Sequence, residues 1–115
     1  MDNQEDLLRL REARVACVNK INEYKALKSL MSNTEFKDLI MTNYCVNSCA
    51  DFMSVYSNTT LLDSVRNNAL EAGKACGHLK CYLDTILQRG RLAEEELIEV
   101  DQVIDSLEHS PETEE

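Results

Sequence analysis

Residues that interrupt helices are nearly missing from this chain: one proline and three glycines in 115 positions. Their scarcity, with the absence of tryptophan, makes an all-helical chain the expectation. A basic excess is also missing. The formal net charge is −9, which argues against gripping a nucleic-acid backbone or an anionic membrane surface. No apolar run approaches the roughly 20 residues needed to cross a bilayer. The start, Met1-Asp2-Asn3-Gln4-Glu5-Asp6, has neither the basic nor the apolar part of a signal peptide, so a cytosolic protein is the default expectation. Glycine-rich phosphate loops, nucleophile elbows and spaced metal-ligand motifs are lacking too. His78 and His109 are the only two histidines. The sequence therefore reads as a non-enzyme that takes no cofactor.

What is present is an apolar repeat through the second half. Leu62, Val65, Ala69, Ala72, Cys76, Leu79, Leu83, Ile86, Gly90, Ala93, Leu97, Val100, Ile104 and Leu107 follow one another in steps of three and four. That spacing draws one narrow stripe along a helix, the seam that coiled coils bury. A helix over Leu62–Leu107 is roughly 69 Å long at about 1.5 Å per residue, too long to wrap round a compact core. It needs a partner along its length.

The first arm supplies one. Leu7, Leu10, Ala13, Cys17, Ile21, Tyr24, Leu27 and Met31 recur at helical steps. A break follows at Ser32–Glu35, where Ser32 and Glu35 have the spacing of a capping box. A second helix then carries Phe36, Leu39, Ile40, Tyr44, Cys49, Phe52, Met53 and Tyr56, and Ser57–Thr60 reads as the loop. Two packings compete: a three-helix zigzag, and a long antiparallel hairpin, coiled-coil-like, whose first arm is kinked into two helices. Arms of about 5–56 and 61–107 match in length. Residues 9–28 carry a balance of +4 and residues 94–108 one of −7, and a hairpin lays these beside each other. A single hairpin domain over 1–109 with a disordered acidic tail over 110–115 is the preferred reading.

The five cysteines offer the sharpest chemical alternative. Cys45, Cys49, Cys76, His78 and Cys81 are zinc-ligand types. On a helix, however, Cys76 sits on the seam, Cys81 on the opposite side and His78 in a third direction, so no metal is expected. Two cysteine pairs on the arms of a hairpin also resemble the twin-cysteine small chaperones of the mitochondrial intermembrane space. That resemblance would set Cys45 level with Cys81 and Cys49 with Cys76, but the second pair has four intervening residues where that family has three. Reduced thiols serving as small hydrophobes are the simpler reading.

Two blocks carry a further resemblance. Asn33, Phe36, Ile40 and Tyr44 form one pattern, and Gly77, Leu79, Tyr82, Leu83, Thr85, Ile86, Gly90, Ala93 and Glu94 a longer one. Over roughly Ser32–Leu97 the chain is similar to a group of small proteins of tailed bacteriophages, encoded among genes for head and tail structure. The resemblance implies a structural or assembly protein of the virion, at the head–tail region, in the virion or the host cytoplasm, with other phage structural proteins or its own copies as partners. A small helical chaperone shielding an apolar segment of a client is the alternative. Because residues 9–28 are rich in Arg and Lys, the facing seam positions Leu97, Val100, Ile104 and Leu107 are expected to need completion by another copy or another protein, through helix–helix contact in a homo-oligomer.

Overall fold

The computed structural model describes residues 3–109, and these are helical apart from two short breaks. Helix α1 spans Asn3–Met31, α2 Thr34–Phe36, a π-helical stretch Lys37–Ser48, α3 Cys49–Ser57 and α4 Asp63–Glu108. The expected tail, 110–115, lies outside the described residues.

Each break has a local cause. At the first, Asn33 is extended (φ −78°, ψ 120°) and its side chain accepts from the Phe36 amide at 2.9 Å. The cap is thus Asn33, not the Ser32–Glu35 box. Ser32 instead donates its hydroxyl back to the Ser29 carbonyl at 2.6 Å. At the second, the Asn58 side-chain oxygen accepts from both the amide and the hydroxyl of Thr60, at 3.1 and 2.6 Å. Such an Asx turn competes with helix continuation and ends α3.

The chain divides into two compact units, and α4 contributes to both. Unit 1 comprises 1–26 and 86–115; unit 2 comprises 27–85. In unit 1, Arg11 pairs with Glu108, Arg14 with Asp101, and Tyr24 lies against Gly90. As numbers rise along α1 the partners fall along α4, so the two run antiparallel. In unit 2, Cys49 donates to the Gly73 carbonyl and Arg66 to the Tyr56 carbonyl. The order is again antiparallel. These contacts are those of the all-α helical hairpin and exclude the zigzag, in which α1 and α4 run parallel.

The seam of α4 is largely where its spacing puts it. From Ala69 to Leu107 every position of the stripe is buried or half-buried. Leu62 and Val65 are exceptions, 74% and 44% exposed. They precede the point at which α3 faces α4, and Arg66, stacked 5.5 Å from the Tyr56 ring, closes this end instead. The eight apolar positions of the first arm are all buried or half-buried as well.

The segment 34–57 departs further from expectation. Leu39 and Met53 are 62% and 40% exposed, while Cys45 is 4% exposed. The reason is the π-helical stretch, whose i→i+5 bonds widen the turn. Positions four apart then stay on one face longer than in an α-helix, and Phe36, Ile40, Tyr44, Ser48, Phe52 and Tyr56 are all half-buried.

Candidate interaction surface

In unit 1 the core is Cys17, Ile21 and Ala93, with Leu97 packed against it. Val100 is 8% exposed, and Ile104 and Leu107 are half-buried. Of the four seam positions assigned to an outside partner, Leu97 and Val100 pack within the unit, while Ile104 and Leu107 stay half-buried and Leu107 lines a surface groove. The arginines of α1 do not prevent this packing, because they turn to the edges. Arg11 and Arg14 reach Glu108 and Asp101 at 3.0 and 2.8 Å along one edge, all four side chains about half-exposed. Pairs of that kind contribute about 0.2–1 kcal/mol each and fix orientation. Arg9, two residues before Arg11, points elsewhere, because a step of two turns a helix about 200°. It lines a surface groove with Asp6, Leu10, Val103 and Leu107 along the other edge.

The groove edge holds the residues that the repeat did not single out. On α4, Leu92 is 56% and Val103 46% exposed, and Glu96 and Glu99 between them are exposed as well. Ile98 (61%) faces away from the seam. On α1, Leu8 and Val15, seven residues apart on the side away from the seam, are both exposed. A signal for these was available: each is apolar yet off the three-and-four stripe.

The thiols sit in contrasting settings. Burial pushes the Cys17 thiol up, reinforced by its hydrogen bond to Glu96 and by the charges of Glu96 and Asp101, against a smaller pull from Lys20. In unit 2, burial first and then Cys76 push the Cys45 thiol up. The Tyr44 phenol is raised mainly by its hydrogen bond with Cys76, then by burial. Cys45 is buried, and Cys49 bonds the Gly73 carbonyl at 3.8 Å. Cys81 is exposed and all five thiols are free. Among the described residues no group of three or more His, Cys, Asp or Glu is placed to hold a metal ion.

The small-residue positions differ from one another. A Cβ built on Gly90 would fall on the Tyr24 side chain, so this glycine makes room for the facing arm. At Gly73 the neighbours Met53 Sδ and Phe52 Cβ stand at 3.4 and 3.5 Å, ordinary contact. A Cβ built on Gly77 meets nothing within 4 Å.

No family profile, curated protein or solved structure matches the chain.

Proposed function

We propose that this chain is a non-enzymatic helix-presenting protein that works by helix–helix contact, as a structural or assembly component of a tailed-phage virion at the head–tail region. The observation that carries the contact-making part is the distribution of apolar side chains. The seam is satisfied within the hairpin units, yet Leu8, Val15, Leu92, Ile98 and Val103 stand outside it, each at least 46% exposed. Single exposed apolar residues are ordinary. Rows of them on long helices, beside strongly charged edges, are suited to a protein partner.

The virion assignment rests on the two sequence blocks alone. Some of their positions have evident structural roles: Asn33 caps, Gly90 admits Tyr24, and Leu83 and Ala93 are buried. Tyr82, 60% exposed, and Glu94, also exposed, have no such role among the described residues and are available for contact.

Quantitative mass spectrometry of particles purified from the source is the test. Stoichiometric copies in mature particles support a structural subunit, and presence only in immature assemblies supports an assembly factor. Absence from both, with a soluble client bound instead, favours the chaperone.

A further inference from the structure

The groove edge of unit 1 is made of two stripes with the same spacing. Along α4 the stripe reads Leu92, Glu96, Glu99, Val103, in steps of four, three and four. Along α1 it reads Arg9, Ala13, Ala16, Lys20, in the same steps. Contacts place both on one edge. Arg9 and Val103 line the same groove, and steps of four and three keep the other members of each stripe on the same side of their helices. One stripe is apolar and acidic; the other has small residues between two bases.

We propose that this edge is closed by a second copy of the chain, in a two-fold contact that lays the α1 stripe of each copy along the α4 stripe of the other. The inference deepens the helix-contact reading above and rests on it. The charges choose the occupant. Residues 94–108 carry −7 and residues 9–28 carry +4, and Arg11–Glu108 and Arg14–Asp101, on the far edge, use only part of each. The edge is therefore its own complement, as an isologous interface requires. The charges also choose the orientation. Setting α4 on α4 would oppose Glu96 and Glu99 to their own copies. Setting α1 on α4 at the level that the intrachain contacts define brings Lys20 of one copy beside Glu96 and Leu92 of the other. Ala13 and Ala16 let the helices approach, and Leu92 and Val103 become buried against the partner.

The test uses the full chain and exploits the symmetry. Wild-type protein is expected to sediment at twice 13.1 kDa. Lys20→Glu alone, or Glu96→Lys alone, places like charges at both symmetry-related contacts and weakens the dimer about tenfold. Mixing the two variants restores opposite charges at both contacts and recovers association to near the wild-type level. Only a contact between chains gives recovery on mixing. Leu92→Asp with Val103→Asp is expected to abolish the dimer with the circular-dichroism spectrum unchanged.

Three results overturn the proposal: wild-type protein that stays monomeric at its highest soluble concentration, a mixture that associates no better than its components, or a dimer indifferent to Leu92→Asp with Val103→Asp. A monomer still incorporated into particles overturns the self-contact and leaves the functional reading standing. A dimer absent from every particle does the reverse.

Discussion

Gly77 and Gly90 lie thirteen residues apart in one helix, and alanine at each should move stability in opposite directions. Glycine inside a helix costs about 0.8–1 kcal/mol relative to alanine, the loss being mainly backbone entropy in the unfolded chain. At Gly77 a new methyl meets nothing within 4 Å, so Gly77→Ala should stabilise by nearly that amount. In a chain of this size the gain raises the melting temperature by roughly 3–5 °C. At Gly90 the same entropic gain is opposed by a methyl built onto Tyr24 Cβ and Cγ. Rotating the tyrosine does not relieve contact with its Cβ, which the backbone fixes, so the helices must separate. Overpacking of this kind costs typically about 1–3 kcal/mol, and separation also loosens Cys17, Ile21 and Ala93 beside it. Gly90→Ala should therefore be neutral at best and destabilise by up to about 2 kcal/mol. Thermal and urea unfolding followed at 222 nm measure both. In a Tyr24→Gly background the penalty at position 90 should largely vanish, which isolates the steric part. If Gly90→Ala stabilises as much as Gly77→Ala, the hairpin does not close through Tyr24 and Gly90, and the antiparallel register of unit 1 is wrong.

Asn33→Ala should cost about 1 kcal/mol by removing the cap on Phe36, whereas Ser32→Ala should change stability by less than about 0.5 kcal/mol; equal effects in urea unfolding would reinstate the Ser32–Glu35 box. A thiol reagent on native protein should modify exposed Cys81 fast and Cys17, Cys45 and Cys76 only on opening, so Cys81→Ser should remove the fast phase. The His109 ring is raised above 6.5 by its backbone bond to Asp105 and by that residue's charge. Protonated His109 therefore stabilises the end of α4 fully below the unfolded value, and this contribution is lost as pH rises through the raised folded value. An NMR titration should give a midpoint above 6.5 that falls toward it in Asp105→Asn.

The seam of α4 and the first arm were legible because both are plain α-helix, where steps of three and four map directly onto one face. Hairpin topology was legible from charge, since complementary segments can meet only if α1 runs back along α4. Two things were not. The π-helical stretch changes the period over Lys37–Ser48, and no local residue pattern announces it. Leu39, expected among the apolar positions facing the partner arm, is consequently exposed. The edge of unit 1 was hidden for a different reason. A stripe that alternates leucine with glutamate looks like a solvated face until a groove and the facing helix show which side it lies on.

The pattern of burial bears on why such a chain would use that edge. Among the described residues the side chains less than 2% exposed are small: Cys17, Cys76 and Ala93. Ile21, Leu27, Leu83 and Val100 keep 6–8% of their surface, and much of the rest of each seam is only half-buried. Two packed helices form a single layer, in which a small residue directly between the axes can be enclosed while larger ones flank it and stay partly wet. Sealing the flanks takes a second layer. Fully burying a leucine or valine contributes about 1.5–3 kcal/mol, so Leu92, Val103 and the half-exposed flank of the seam offer more to association than to the isolated hairpin. Among the described residues, the edge without the arginine–carboxylate bridges is the one open to that layer, because covering the other edge would first desolvate Arg11–Glu108 and Arg14–Asp101 at a cost their weak pairing does not offset.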